Sequence, residues 1–245
     1  MIRTLRTRLR HDDGVTLTEL LIVLLVSSII AVLTTTLVIG VQQTNKQNMV
    51  RQDQIDNGRT ASEAMARTLR ASVKPSQLST SCGSGCVADA FMQATKFRVQ
   101  FYANVDNPQN SVGPSRVTYT IVESGVDKGD PIETVQIPNS PTPSASGYVY
   151  CTPGGAGCAS RITTRIVGRN LSTTGPALFR YFDESGNEMV PPGTGSLGAD
   201  QLKHVLSIEI RTTILDTASG SSKPTTYIQR VMAPNAQAVI KAGSE

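Results

Sequence analysis

One carboxylate near the N-terminus stands at the entrance to a long apolar run. Glu19 directly precedes residues 20–41, which contain no charged side chain. This run is long enough to cross a bilayer, since a spanning helix needs about 20 residues. An ionisable group beside hydrocarbon is unfavourable and marks a functional position by default. The chemistry open to such a carboxylate is ion pairing with a cation that is also removed from water.

The residues before Glu19 indicate how the apolar run is oriented. They form a basic head with arginines at four positions, Arg3, Arg6, Arg8 and Arg10. By the positive-inside rule this head stays in the cytoplasm, so everything after Val41 is expected outside it. An ordinary uncleaved signal anchor explains the head and the run but not Glu19. A cleaved secretory signal fits worse, because no A-x-A-like site follows a short apolar core.

The junction between the head and the run resembles the class III signal of type IV pilins and pseudopilins. The resemblance is carried by Gly14-Val15-Thr16-Leu17-Thr18-Glu19 and the apolar residues that follow. In that family a prepilin peptidase cuts after the glycine and methylates the new amino terminus. The resemblance implies cleavage between Gly14 and Val15, N-methylation of Val15 and an assembly role for Glu19. Most family members begin the mature chain with Phe, and Val15 departs from that pattern.

The resemblance also implies a partner for Glu19. Cleavage leaves a positive amine on Val15. In a growing filament the carboxylate of an incoming subunit is expected to pair with the amine of its neighbour, because either charge alone in an apolar environment is unfavourable. Within one helix, Glu19 lies on the turn after Val15 and also partly neutralises its own amine and the positive helix end.

Cysteine chemistry is expected to be structural. The four cysteines form two local pairs, Cys82/Cys86 and Cys151/Cys158. Outside the cytoplasm disulfides persist, and an even number of cysteines favours two bridges, although four cysteines allow three connectivities. The rival is a zinc site, whose usual C-x2-C spacing neither pair has. We predict the bridges Cys82–Cys86 and Cys151–Cys158.

Other side chains give little support for catalysis. The mature chain has one histidine, His204, with no visible partner near it in sequence. The chain lacks a G-x-S-x-G elbow and a P-loop, and no G-x-G-x-x-G sequence is predicted to open a helix. Oxygen ligands cluster at residues 183–188, but the long loop and distal bidentate Glu of a calcium site are absent, so a solvated hairpin turn is favoured. We expect no enzyme activity, no catalytic residue, no metal and no cofactor.

Charge and composition argue against nucleic acid as the main partner. The net charge is only +4, and aromatic residues make up 4 % of the chain. A basic patch for nucleic acid or another ligand would require four arginines to gather on one exposed face. These are Arg161, Arg165, Arg169 and Arg180.

Hydrophobic periodicity predicts one long helix followed by strands. Residues 15–41 are expected to be a membrane-spanning or filament-core helix, and residues 42–74 its amphipathic continuation up to Pro75. The predicted apolar stripe of this continuation contains Ile55, Ser62, Met65, Leu69 and Val73, and Gly58 is tolerated within it. Alternation predicts strands at 95–103, 116–123, 132–137, 148–151, 162–167, 177–182, 205–215 and 225–232.

Together these elements predict an α+β fold, a long N-terminal helix packed on an antiparallel sheet. The predicted organisation is a cleaved leader (1–14), the apolar helix (15–41), its continuation (42–74) and an extracytoplasmic β-rich head (75–245). Residues 66–72 and the order of segments 179–187, 202–215 and 227–235 resemble W-type minor pilins and J-type minor pseudopilins of type II secretion. Residues 75–160 match no pattern of that kind.

The resemblance implies a structural, minor subunit of a type IV pilus, a competence pilus or a type II secretion pseudopilus. Its expected partners are the prepilin peptidase, other pilin or pseudopilin subunits and the cytoplasmic membrane, which it crosses once before it enters a surface filament. The alternative is a tip adhesin, or a module that binds DNA or a secreted substrate, carried on the same scaffold.

Overall fold

The computed structural model describes residues 14–78, 89–214 and 224–237. The chain forms two compact units, Met1–Met49 and Val50–Glu245. Helix α1, Leu17–Arg70, contributes its first part to the N-terminal unit and its last part to the other unit. In the second unit this helix packs against antiparallel sheets, so the predicted α+β fold class is confirmed.

In the N-terminal unit, α1 is suited to an apolar environment. Within the described residues it is the one helix that is long and apolar enough to cross a membrane. A helix satisfies its backbone groups internally, as hydrocarbon requires. Its hydroxyls also find acceptors on the same helix: Ser28 donates to the carbonyl of Leu25 at 2.7 Å and Thr35 to that of Ala31 at 2.7 Å. Such back-bonding hides polar groups that would otherwise face hydrocarbon.

The described part of the second unit contains two antiparallel sheets. The strands are β1 Phe91–Ala94, β2 Arg98–Ala103, β3 Ser115–Ile121, β4 Pro131–Gln136, β5 Ile162–Ile166, β6 Phe179–Phe182, β7 Glu188–Met189, β8 Ser207–Ile214 and β9 Thr225–Met232. The first sheet has the order β1-β2-β3-β4-β5 and the second the order β7-β6-β8-β9. The described part of this unit also contains two short α-helices, α2 Ala199–Leu202 and α3 Pro234–Gln237.

Side-chain alternation in the strands builds the core. On the first sheet, Val99 and Phe101 of β2 are fully buried beside Val117 and Tyr119 of β3. Successive side chains of a strand point to opposite faces, so these residues share the face that contacts α1. The second sheet contributes Phe179, Tyr181, Ile208, Ile210 and Ile214 to the same core.

The buried stripe of α1 differs from the predicted one at its start. Ser62, Met65 and Leu69 are buried as predicted, but Ile55 is 40 % exposed. The buried residue on that turn is Gln54, whose Oε1 accepts a hydrogen bond from Thr225 Oγ1 at 2.7 Å. A polar side chain replaces the expected apolar one because β9 supplies its hydrogen-bond partner.

The helix also ends earlier than its hydrophobic pattern predicts. α1 ends at Arg70, and the following residues pair with β2. Ser72 forms an isolated bridge with Ala103, and the Val73 N–H donates to the Tyr102 carbonyl at 2.9 Å. Val73 is buried as expected, but in extended chain beside the sheet. Tertiary pairing thus replaces the last helical turn before Pro75.

One predicted strand is wrong, and two strands were not predicted. Residues 148–151 form irregular chain, because β5 already occupies the position beside β4. Tyr150 instead lies under the Arg116 guanidinium, 4.8 Å from its ring centroid, and donates its hydroxyl to the Pro114 carbonyl. The missed strands, β1 and β7, span only four and two residues. Elements this short leave too little periodicity to detect.

The Cys151–Cys158 disulfide predicted from the sequence is present in the structure. The Gln136 side chain donates to the Cys151 carbonyl at 2.6 Å, which fixes the bridged loop to β4. Cys158 is fully buried. The other predicted bridge, Cys82–Cys86, lies outside the described residues.

Candidate functional site

The N-terminal segment, residues 14–19, leads into the first turn of α1, and Thr16 holds the two together. The Thr16 hydroxyl accepts the backbone N–H of Glu19 at 3.3 Å, and its carbonyl accepts the N–H of Leu20 at 3.1 Å. Thr16 therefore caps the helix. The Thr-x-x-Glu spacing is the sequence signature of such a cap, and it is the signal by which Thr16 could have been recognised from sequence.

Glu19 lies in the first turn of α1 and is exposed. No ion pair between described residues involves Glu19. Between Gly14 and Asn45 no other side chain is charged. A carboxylate in the first turn is favoured by the positive end of the helix. This group is therefore held at the head of an apolar helix, available to a cation from outside the described chain.

The apolar side chains that follow Glu19 are exposed in the structure. Leu20, Leu24 and Ile30 are each more than half exposed, and so is Val41 at 53 %. The exposed apolar set continues with Leu21, Ile22, Val23, Leu25, Val32, Leu33 and Leu37. A contiguous apolar surface of this extent marks a membrane or protein contact.

The second unit holds its own charged site, where a buried carboxylate joins α1 to the first sheet. Glu133 on β4 is 2 % exposed. Its Oε1 accepts the hydroxyl of Thr68 on α1 at 3.1 Å and the hydroxyl of Tyr119 on β3, and its Oε2 accepts the guanidinium of Arg165 on β5. Burial raises the pKa of Tyr119, and the neighbouring Glu133 carboxylate raises it further. Tyr119 is therefore a neutral donor, and the arrangement is structural.

The four arginines singled out in the sequence lie on different elements. Arg165 is on the first sheet, where Glu133 neutralises it, and Arg180 is on the second sheet, where it pairs with Glu188 and Glu209. Arg161 donates to the Pro138 carbonyl at 2.9 Å. Arg169 follows β5 in a loop. Two of the four arginines, Arg165 and Arg180, are thus paired with carboxylates, and these two arginines lie on separate sheets.

The acidic turn after β6 is held by its own hydrogen bonds. Asp183 accepts the backbone N–H groups of Ser185 at 2.9 Å and Asn187 at 2.8 Å. These bonds, led by the one from Asn187, lower the pKa of Asp183. The turn connects β6 to β7, as the hairpin prediction requires. His204 lies nearby, with Nδ1 3.5 Å from the Glu184 carboxylate, and both side chains are more than half exposed.

Comparisons with protein-family models, with curated proteins and with solved structures give no match to this chain.

Proposed function

We propose that this protein is a structural subunit of a type IV pilin-like filament. Its precursor crosses the cytoplasmic membrane once, is cleaved after Gly14 and is then assembled through α1. The observation that carries the proposal is the N-terminal segment. It places one carboxylate in the first turn of α1, directly before the uncharged and exposed apolar residues 20–41 and shortly after the Gly14–Val15 junction. We propose a minor rather than a major subunit, because the order of segments 179–187, 202–215 and 227–235 resembles that of minor pilins and minor pseudopilins.

The physical basis of assembly is an exchange of apolar environments. In the membrane, lipid covers the side chains of residues 20–41. In a filament the same side chains pack against neighbouring helices, so little apolar surface returns to water during transfer. Van der Waals packing and a few polar contacts then select the neighbour, because lipid and helix are similarly apolar.

Glu19 gives this transfer a defined axial position. After cleavage, the Val15 amine of one subunit and the Glu19 carboxylate of another both lie in apolar surroundings. Pairing them removes two unfavourable charges at once, whereas a shifted register leaves both unpaired. The proposal assigns no catalytic residue, metal or cofactor to the protein, whose activity is assembly.

The test is processing by a prepilin peptidase in cells that carry one. Intact-mass analysis is expected to show a mature chain that begins at Val15, with the additional mass of one methyl group. Gly14→Leu is expected to block cleavage, because the peptidase accepts only a small residue before the cut, whereas Gly14→Ala slows it modestly. Gly40→Leu, which introduces the same side chain within α1, is the matched control and leaves processing unchanged. The proposal fails if the wild-type chain still begins at Met1 while a reference prepilin is processed in the same cells.

A further inference from the structure

Within the described residues, the second sheet ends in one long edge strand that no further strand covers. β9 is its terminal strand and pairs only with β8 among the described strands. On the far side of β8, Arg211 donates to the Leu178 carbonyl at 2.8 Å and Thr213 accepts the Ser172 N–H at 2.7 Å. Antiparallel ladders use alternate residues, so the even-numbered residues of β8 face β9. Their register partners in β9 are odd-numbered. The residues that turn their N–H and C=O groups outward are therefore Thr226, Ile228, Arg230 and Met232.

The side chains of these residues form a pattern that suits a partner strand. They lie on the face of the second sheet turned away from α1, since Thr212 on the opposite face donates to the Gly58 carbonyl at 3.0 Å. Ile228 is 53 % exposed and Met232 is 61 % exposed. Arg230 lies between them and is also exposed. The edge thus presents apolar, basic and apolar positions in alternation.

Arg230 is held in place by contacts other than an ion pair, and no carboxylate in the described part of the chain pairs with it. Its guanidinium stacks on the Phe182 ring, 3.7 Å from the centroid, and its Nε donates to Ser207 Oγ at 3.1 Å. Its cross-strand neighbour is Glu209, but that carboxylate already accepts Arg211 at 2.6 Å and Arg180 at 3.0 Å. Stacking and one hydrogen bond orient the guanidinium and leave its terminal nitrogens for a ligand.

The net charge of this face indicates which charge a binding partner should carry. Among the described residues, three arginines, Arg180, Arg211 and Arg230, share this face with two glutamates, Glu188 and Glu209, which leaves one positive charge in excess. The excess lies on the edge strand itself. A second β9 does not supply the missing carboxylate, because residues 225–232 contain no Asp or Glu.

We propose that the open edge of β9 binds an extended acidic segment of a partner protein by strand addition. Main-chain hydrogen bonds to Ile228 and its outward-facing neighbours supply the affinity, and alternate side chains supply the specificity. Arg230 receives a carboxylate of the segment, while Ile228 and Met232 receive apolar side chains two positions to either side. This inference is independent of the proposed filament function, because it concerns only the second unit.

The direct test uses the full chain in detergent micelles and a labelled, end-capped peptide, Thr-Val-Thr-Glu-Thr-Val-Thr. Fluorescence anisotropy is expected to show saturable binding. A peptide with Lys in place of Glu should bind about tenfold more weakly, because attraction at Arg230 becomes repulsion. A peptide whose backbone nitrogens are methylated at alternate positions should not bind, because it cannot form the ladder.

Two variants locate the site on β9. Arg230→Glu should reverse the preference, binding the Lys peptide about tenfold better than the Glu peptide, and Arg98→Glu on the first sheet is the matched charge control. Ile228→Pro removes an outward N–H without removing a bond to β8 and should abolish binding. Ile166→Pro places the same residue on the exposed β5 edge and should leave binding intact.

Several results would overturn the proposal. One is equal affinity for the Glu and Lys peptides, and another is binding that survives Ile228→Pro or backbone methylation. Absence of binding up to millimolar peptide would also overturn it. Self-association of the full chain that Ile228→Pro abolishes would assign the edge to a second copy of this chain instead of an acidic partner.

Discussion

Glu133 links α1 to the first sheet through a polar contact inside an otherwise apolar core. Thr68, Tyr119 and Arg165 all direct donors at its carboxylate, which is almost inaccessible to water. A buried charge is tolerated only when it is paired and hydrogen-bonded. The partners are unequal, since the Arg165 side chain is 58 % exposed while Thr68 and Tyr119 are buried. Removing the acceptor should therefore matter more than removing the cation.

Glu133→Ala is expected to lower the free energy of unfolding by about 2–4 kcal/mol, because two buried hydroxyls lose their acceptor and a void remains. Arg165→Ala is the comparison variant and should lower it less, by about 1–2 kcal/mol, because the buried carboxylate loses its cation but keeps the hydrogen bonds from Thr68 and Tyr119. Urea unfolding of the full chain in micelles, followed by tyrosine near-UV circular dichroism, measures both. An equal or larger loss for Arg165→Ala would contradict the unequal roles assigned to these two residues.

At the scale of elements, α1 and the loop after β5 approach each other closely at Gly168. A Cβ atom at this position would lie 2.6 Å from the Cβ of Ala61 and 3.2 Å from the Pro131 ring. Ala61 is fully buried on α1 and cannot move aside without moving the helix. The contact therefore requires glycine on one side and a small residue on the other.

Gly168→Ala is expected to destabilise the second unit by about 1–3 kcal/mol through overpacking. Ala61→Gly alone should cost about 1 kcal/mol, from helix propensity. The double variant should lose less than the sum of the two, because removing one Cβ makes room for the other. Gly40→Ala, which meets no atom within 4 Å, is the control and should not change the unfolding of the second unit. Additive losses in urea unfolding would show that these two positions do not compete for the same space.

The elements show which features a sequence can predict. The apolar run and the alternation at Val99, Phe101 and Val117 predict α1 and the central strands, because local periodicity reports burial directly. Residues 148–151 look like a strand by composition, but β5 fills the available edge and the Cys151–Cys158 bridge holds the segment elsewhere. Such competition for one position depends on contacts between residues far apart in sequence.

Some residues of the candidate sites could be identified from the sequence, and others could be identified only from the folded structure. Gly14 and Glu19 could be singled out because motif, spacing and apolar run lie within one continuous segment. Neither Glu133 nor Arg230 could be found in this manner. Glu133 receives donors from three other elements, and Arg230 is significant only because Glu209 is already occupied. Their roles exist only after the strands have paired.

At the scale of the whole molecule, the apolar residues 20–41 and the Glu19 carboxylate of the N-terminal unit are exposed. If Glu19 serves only the capped helix start, its removal affects the helix and nothing else. If it pairs with the Val15 amine of a neighbour, its removal affects assembly while leaving insertion intact. These two roles make different predictions for the same substitution, so one variant separates them.

Glu19→Leu is expected to insert into the membrane as well as the wild type or better, since a charge beside the apolar run disappears. Cleavage should persist, because Gly14 and the basic head remain. Recovery in sheared filaments should fall, because the Val15 amine of a neighbour loses its partner in apolar surroundings. Glu19→Asp should be intermediate, since it keeps the charge with a shorter reach. Glu63→Leu removes another exposed carboxylate of α1, one that pairs with Arg59, and is the control that should assemble normally. The measurement is the amount of subunit in sheared and membrane fractions, and a cleaved, inserted Glu19→Leu protein that reaches filaments at the wild-type level would refute the register role.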